Sequence, residues 1–223
     1  TAIACMNLLA PVLKKHKVPE GLCSMMVGSV DSVGEPMVTD KRIPLVSATG
    51  STRMGKVVAQ KVSARLGRTL LELGGNNAII VTDKADLSLA IPAIVFGAVG
   101  TCGQRCTTTR RVIVHSKIIA QVTESLLKAY KTLKVGSPLD SNNHVGPLID
   151  QEAVNSMQKA LKKAKEQGGE VLYGGEILEK EGGYYVKPAI VLVKDQIEIV
   201  KEETFAPILY VLEYKETLDE ALF

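Results

Sequence analysis

The sequence is poor in the residues on which several classes of protein depend. Its 223 residues include no tryptophan, four cysteines and three histidines, and aromatic residues make up 4%. Four cysteines in a chain of this length are too few for a disulfide-stabilised fold and are typical of a reducing compartment, so we expect a cytoplasmic protein. The histidines lack the spacing of zinc ligands, and no second cysteine pair follows Cys102 and Cys106. We therefore expect no metal site.

Long apolar runs and a strong charge of one sign are also missing. No run of about 18 uncharged apolar residues occurs, so the sequence predicts no membrane-spanning helix and no membrane partner. The net charge of +3 is too small to indicate a nucleic-acid partner. The first residues lack the basic region and cleavage site of a signal peptide and have no initiator methionine, so we expect an internal fragment.

What the sequence does contain is an alternation of strand-like and helix-like segments. Apolar residues at helical spacing predict helices over 1–15, 57–66, 86–98, 118–133 and 151–167. Apolar runs predict strands at 22–27, 43–47, 70–71, 78–81, 110–115, 171–173, 184–193 and 208–212. This order favours an α/β fold with parallel crossover units, and Gly74-Gly75 marks a plausible domain boundary.

The first candidate site is the segment 46–57, in which a strand, a glycine turn and a helix follow one another. Such a turn directs unpaired N–H groups and the positive helix end outward, which suits a phosphate group. Residues 50–56 fit most of the P-loop pattern, but Val57 stands where a hydroxyl should bind magnesium. An ordinary strand-to-helix turn is the alternative interpretation.

Two further candidates are a carboxylate and a thiol. Glu72 ends an apolar strand, where partial burial would raise its pKa and favour a general base; an ion pair with Lys or Arg is the alternative. Cys106 follows the cation Arg105, which favours the nucleophilic thiolate. A buried structural cysteine is the alternative for Cys106, and a cysteine–histidine dyad would have to use His115.

The fourth candidate is the segment 201–207, which contains Glu203 and Phe205 before a proline. A carboxylate two residues before an aromatic ring suits a sugar hydroxyl beside a flat cofactor. A solvated turn followed by a core phenylalanine is the alternative, and spacing alone does not separate the two.

In this order, the four segments resemble the aldehyde dehydrogenase superfamily over the whole chain. Glu72 and Cys106 lie 34 positions apart, as the family pattern requires. The segments 74–78 and 103–108 further resemble the antiquitin branch, which includes the α-aminoadipic semialdehyde dehydrogenases of lysine catabolism. The resemblance implies Cys106 as nucleophile, Glu72 as general base, Gly50, Ser51 and Gly55 as the pyrophosphate turn, Glu203 and Phe205 as nicotinamide ribose and ring contacts, and Arg105 as receptor of the substrate's distal carboxylate.

The resemblance also implies an architecture and partners. Residues 1–73 would be the C-terminal part of a Rossmann-like NAD-binding domain, and residues 74–223 a catalytic domain without its C-terminal end. The implied cofactor is NAD, with NADP left open, and the implied substrate is a small aldehyde oxidised through a thiohemiacetal and a thioester. The full-length form would be a dimer or tetramer, and the fragment alone would be nearly inactive. A P-loop-like nucleotide-binding module and a non-catalytic fragment remain as alternatives.

Overall fold

A computed structural model describes residues 2–222, and the chain divides into two compact units between Leu73 and Gly74. The division falls at the glycine pair that the sequence marks. The assignment of a cofactor-binding role to the first unit and a catalytic role to the second stays a prediction.

The first unit contains three helices and one pair of parallel strands. The helices are α1 (Ala2–Lys15), α2 (Glu35–Thr39, preceded by a π-helical turn at Val30–Gly34) and α3 (Thr52–Ala64); the strands are β1 (Leu45–Thr49) and β2 (Arg68–Glu72). β1 and β2 pair in parallel, so α3 is the crossover that the sequence predicts. A small core of Val38, Val46, Val58 and Val62 packs between α3 and the strands.

The predicted strand at 22–27 is wrong. This segment has no strand or helix, and its apolar side chains are exposed, with Leu22 at 73% and Val27 at 74%. An apolar run becomes a strand only where another strand supplies backbone hydrogen bonds, and within residues 2–222 none pairs with it. The hydrophobicity of a segment does not show whether a partner strand is available to it.

The second unit is built on a five-stranded sheet with the order β3-β4-β9-β8-β5. Its strands are β3 (Asn77–Val81), β4 (Thr109–His115), β5 (Glu170–Tyr173), β8 (Ala189–Leu192) and β9 (Ile208–Tyr214), and a separate hairpin contains β6 (Ile177–Leu178) and β7 (Tyr185–Val186). The helices are α4 (Leu87–Val99), α5 (Ile119–Lys131), α6 (Gln151–Glu166) and α7 (Leu218–Leu222). All pairs of the five-stranded sheet are parallel except the edge pair β5–β8.

The core of this unit follows from the apolar runs of its central strands. β4, β8 and β9 are buried along nearly their whole length, and α4, α5 and α6 add buried apolar faces. The single strand predicted over 184–193 is in fact β7 and β8, because Pro188 between them has no N–H to donate to a ladder. The predicted stop of α6 is confirmed: Gly168 has φ +90°, and the Gly169 N–H donates to the Ala164 carbonyl at 2.7 Å.

Parallel pairing also decides which loops meet. Asn77 pairs with Thr109, and β9 runs parallel to β4, so β3, β4 and β9 all begin at the same edge of the sheet. The segments that precede these strands, 74–76, 103–108 and 203–207, therefore lie beside one another. The Gly74-Gly75 pair and two of the four candidates, Cys106 and the segment 201–207, are brought together in this way.

Candidate active site

The site in the second unit is made of three backbone segments that approach one another very closely. A Cβ atom on Gly75 would lie 2.8 Å from the carbonyl oxygen of Cys106, and one on Gly74 would overlap the carboxylate of Glu203. A Cβ atom on Gly103 would overlap the backbone of Ala206 and Pro207. Gly75 and Gly103 are therefore required by space, because a side chain there would push backbone segments apart, whereas one on Gly74 would displace the Glu203 carboxylate.

We expect Gly103→Ala to destabilise the chain more than a positive φ alone explains. Gly103 has φ +68°, and a Cβ atom added there would overlap the backbone of residues 206–207. Gly182 has φ +77°, and nothing lies within 4 Å of a Cβ atom added there. Gly182→Ala should cost about 1–2 kcal/mol, and Gly103→Ala roughly 2 kcal/mol more. Urea unfolding of both variants measures the difference. Equal losses would show that the 206–207 backbone moves aside freely.

Cys106 lies in a turn with its side chain exposed, so the alternative of a buried structural cysteine does not describe it. Its carbonyl accepts a hydrogen bond from the Asn77 Nδ2 amide at 2.6 Å. Within residues 2–222, no acceptor lies within hydrogen-bonding reach of its own N–H. The exposed thiol thus lies beside a free backbone N–H. That N–H is suited to donate to the oxyanion that forms when the sulfur attacks a carbonyl carbon.

Cys102 and His115 take other roles. Cys102 is 1% exposed, and burial raises the pKa of its thiol to about 12, so it is the structural cysteine of the pair. His115 is buried at the far end of β4, where its Nδ1 accepts from the Lys117 N–H and its ring packs on Tyr214. Six strand residues, about 20 Å, separate it from the start of β4, so no dyad with Cys106 forms.

Arg105 places its guanidinium against α4. Its Nε donates to the Thr101 hydroxyl at 2.8 Å, and its Cζ lies 5.7 Å from the centre of the Phe96 ring. It lines an open, largely apolar groove of about 590 Å³ between α4 and the Ala129–Leu133 segment. In the described part of the chain, no carboxylate lies within 4 Å of this guanidinium. A guanidinium that has no carboxylate partner and lines a groove can receive an anionic group.

Glu203 and Phe205 do not form the solvated turn and core phenylalanine of the alternative interpretation. The Glu203 carboxylate is 22% exposed, and it accepts from the Gly75 N–H at 3.2 Å and from Arg110 Nη2 at 3.1 Å. Phe205 is 47% exposed, with the Arg110 guanidinium 5.5 Å from its ring centre. The motif therefore offers a fixed carboxylate and an accessible ring side by side.

The first candidate segment, 46–57, and Glu72 lie together in the first unit. The Gly50 N–H donates to the Glu72 carbonyl at 3.0 Å. The two residues are neighbours because Gly50 follows β1, Glu72 ends β2, and the two strands are parallel. Ser51 caps α3 by accepting the Met54 N–H at 3.1 Å. Gly55 faces Leu73, whose δ carbons would lie 2.5 Å from an added Cβ, so α3 packs close to the end of β2.

This turn fits a diphosphate. The N–H groups of Thr52 and Arg53 in the first turn of α3 have no intrahelical acceptor, and the positive end of the helix dipole is at the same place. Gly50 and Gly55 leave space for neighbouring side chains, since an added Cβ would lie 2.5 Å from Met54 Cε at Gly50 and 2.5 Å from the Leu73 δ carbons at Gly55. The expected partial burial of Glu72 is wrong for the described residues, because the side chain is exposed, and no Lys or Arg within residues 2–222 pairs with it.

The sequence did not single out Arg110, Asn77 or Gln104. Arg110 is a buried cation in β4, and Asn77 bonds the carbonyls of Cys106 and Thr108. The Gln104 side chain donates to the Pro147 carbonyl at 3.3 Å and accepts from the Ile149 N–H at 2.9 Å. A charged residue inside an apolar strand was the available signal for Arg110. Nothing in the pattern marked the two amides.

Residues 2–222 contain neither a metal-ligating cluster nor a membrane-spanning helix. In the part of the chain that the structure describes, no group of three or more His, Cys, Asp or Glu side chains could hold a metal ion. No helix between residues 2 and 222 is both long and apolar enough to cross a membrane.

Comparison with known proteins gives consistent matches. The aldehyde dehydrogenase family model matches residues 1–222. A homologue of aldehyde dehydrogenase family 7 member A1 from Caenorhabditis elegans is 50% identical over 224 residues, covering 100% of this chain and 42% of that protein. An alpha-aminoadipic semialdehyde dehydrogenase from Bos taurus is 48% identical over 96% of this chain and 40% of its own length.

Solved structures of aldehyde dehydrogenases share this architecture. The crystal structure of betaine aldehyde dehydrogenase from Staphylococcus aureus in complex with NAD+ superimposes with a TM-score of 0.90, at 29% identity, over 95% of this chain and 43% of that one. The chain therefore has the aldehyde dehydrogenase fold, and it spans 40–42% of the length of these two curated relatives.

Proposed function

The chain belongs to the aldehyde dehydrogenase family, and we propose that it supplies the nucleophile and cofactor contacts for NAD(P)-dependent oxidation of an aldehyde to an acid. One observation carries the proposal: the exposed thiol of Cys106 has a free N–H beside it, and its loop borders the carboxylate of Glu203 and the ring of Phe205. A thiol nucleophile next to contacts for a sugar and a flat ring fits this chemistry better than phosphate transfer.

NAD is the cofactor that the residues and the relatives support. The free N–H groups in the first turn of α3 would hold its diphosphate, with Gly50 and Ser51 forming the turn that leads into the helix. Glu203 would accept from the nicotinamide ribose, and Phe205 would pack on the ring. When bound, the nicotinamide supplies the acceptor for a hydride. NADP is the alternative cofactor, because the residues assigned to the diphosphate, ribose and ring do not distinguish a ribose hydroxyl from a ribose phosphate.

The first chemical stage belongs to Cys106. Its thiolate forms a C–S bond to the aldehyde carbon, and the carbonyl π electrons move to the oxygen, which accepts from the Cys106 N–H. With a bound nicotinamide to accept it, a hydride would leave as the C–H bond breaks and the C=O bond re-forms. The product on the protein is a thioester.

The second stage belongs to Glu72, three positions before Gly75 in the sequence. Its carboxylate takes a proton from water, the water oxygen attacks the thioester carbon, and the C–S bond breaks to release the acid and the Cys106 thiolate. Splitting the oxidation into two covalent steps replaces one difficult reaction with two easier ones.

A carboxylated semialdehyde is the substrate class that Arg105 favours. Its guanidinium has no carboxylate partner among the described residues and lines an open groove. A guanidinium fork binds a carboxylate by two parallel hydrogen bonds, so a distal carboxylate would fix such a substrate. The bovine relative is named for a semialdehyde of this type. We further propose that the full-length protein works as a homo-oligomer, a dimer or tetramer.

An aldehyde panel tests this proposal on a full-length protein that carries this sequence. With NAD and NADP, we expect oxidation of aldehydes, fastest for a semialdehyde that bears a carboxylate. In the Arg105→Ala variant, kcat/KM for carboxylated aldehydes should fall roughly 10- to 100-fold, the worth of a charge-assisted hydrogen bond. Arg68→Ala, which removes an exposed arginine at the start of β2, is the control.

Two results would contradict the proposal. Absence of oxidation of every aldehyde with either cofactor would remove the dehydrogenase assignment. Equal losses for carboxylated and neutral aldehydes in Arg105→Ala would leave the dehydrogenase intact but take the carboxylate away from Arg105.

A further inference from the structure

Arg110 is the best-connected polar side chain of the second unit. It is 2% exposed, and its guanidinium meets five acceptors from three segments. The acceptors are the carbonyls of Gly75 (3.2 Å), Gly103 (3.5 Å), Arg105 (3.0 Å) and Thr204 (2.5 Å), and the carboxylate of Glu203 (3.1 Å). Nothing in the proposed chemistry uses this residue directly.

These contacts bear on Cys106 through the backbone. Peptide units are planar, so a bond to a carbonyl also fixes the N–H of the following residue. Arg110 bonds the carbonyl of Arg105, whose peptide unit contains the Cys106 N–H, and Asn77 bonds the carbonyl of Cys106 itself. Both peptide units that flank the Cys106 Cα are thus held, and the free N–H is held with them.

Three charged side chains come from the Cys106 loop and the segments packed against it. Arg105 lies in the same loop, Arg110 comes from β4 and Glu203 from the loop before β9, while β3 and its lead-in contribute the amides Asn76 and Asn77. Burial lowers the pKa of Arg110, and the charges of Glu203 and Cys106 act against that effect. The Arg105 guanidinium is engaged with Thr101 and Phe96.

We propose that Arg110 is the positioning residue of the Cys106 loop, and that it couples the ionisation of this thiol to the charge of Glu203. The proposal rests on the proposed function, in which Cys106 attacks as a thiolate and Glu203 contacts the cofactor. In this proposal Arg110, rather than Arg105 as predicted from sequence adjacency, is the cation that favours the Cys106 thiolate. Glu203 would then have two roles. Its carboxylate would contact the ribose directly, and it would influence the Cys106 thiol through the Arg110 guanidinium.

Alkylation of the 223-residue chain by iodoacetamide tests this without cofactor or aldehyde. Mass spectrometry of peptides gives a rate for each cysteine as pH is varied, and the midpoint of the Cys106 profile reports its pKa. Cys5 and Cys23 are exposed and serve as internal references, whereas buried Cys102 reports opening of the loop. The variants are Arg110→Met, Arg110→Lys and Glu203→Gln, with Arg111→Met as the matched control on the same strand.

The two central variants should shift the midpoint in opposite directions. Arg110→Met removes a cation and leaves Glu203 uncompensated, so the Cys106 midpoint should rise by about 1–2 pH units. Glu203→Gln leaves the guanidinium charge uncompensated, so the midpoint should fall by about half a unit or more. Arg110→Lys restores the charge without the fork and should recover at least half of the shift. Arg111→Met, which loses bonds to Gln196 and the Asn76 carbonyl, should leave it unchanged.

A purely structural role would give a different pattern. Midpoint shifts of the same sign in Arg110→Met and Glu203→Gln, or no recovery in Arg110→Lys, would overturn the proposal. If Arg110→Met unfolds, seen as Cys102 reacting as fast as Cys5, then Glu203→Gln and Arg110→Lys decide the matter alone. Because no readout depends on turnover, a protein without dehydrogenase activity would contradict the proposed function and leave this inference standing.

Discussion

Replacing Cys106 with alanine in a full-length protein that carries this sequence should abolish aldehyde oxidation. Without the sulfur no thiohemiacetal forms, and removal of a covalent nucleophile costs roughly 10⁶-fold in kcat. Cofactor binding should persist, because the residues assigned to NAD are Gly50, Ser51, Glu203 and Phe205. Rates of NADH formation and a calorimetric titration with NAD measure the two properties separately.

The matched control for this experiment is Cys102→Ala, four positions earlier. Cys102 is buried and its thiol is kept neutral by a pKa of about 12, so it has no part in the chemistry. That variant should lose stability to some extent and keep kcat within a few-fold. Turnover in Cys106→Ala within tenfold of the parent would refute the nucleophile assignment, and loss of activity only in Cys102→Ala would transfer it.

Replacing Glu72 with glutamine should stop the reaction after its first stage. An amide does not remove a proton from water, so hydrolysis of the thioester should slow by about 10²- to 10⁴-fold. Acylation does not require this base, so each site should form one NADH rapidly and then stall. Stopped-flow absorbance measures the burst, and intact-protein mass spectrometry should find the acyl group on Cys106.

An exposed glutamate elsewhere provides the control for this second experiment. Glu179→Gln removes the same charge from an exposed position in the second unit and should leave both the burst and the steady rate unchanged. A Glu72→Gln protein that is slow from its first turnover, with no acyl adduct, would place Glu72 in activation of the thiol instead. A protein with an undiminished steady rate would remove Glu72 from the mechanism.

The sequence predicted the candidate site well where a motif is local. The strand, glycine turn and helix over 46–57 are confirmed, because a Ser cap, a free glycine and apolar spacing act within a few residues of one another. The order of strands and helices gave the α/β class for the same reason. The prediction of a strand over 22–27 was wrong, because a strand depends on backbone hydrogen bonds from a partner that is distant in the sequence.

Other features depended on contacts between distant residues. Sequence adjacency put the cation Arg105 next to Cys106, but its guanidinium bonds Thr101 and lies against Phe96. The buried cation of the site is Arg110, which meets Glu203 across 93 positions of the chain. Most of its acceptors are backbone carbonyls, which every residue possesses, so no pattern of side chains could reveal them.

By itself, then, the sequence determined the family, the fold class and the residue types available for chemistry, since these depend on local spacing and on motifs in a fixed order. Only the tertiary structure decided which cysteine is exposed, which arginine holds the loop and why Gly75 and Gly103 must lack side chains. Those outcomes arise because the parallel strands β3, β4 and β9 begin at one edge of a sheet. Their lead-in segments, far apart along the chain, are thereby brought within atomic contact.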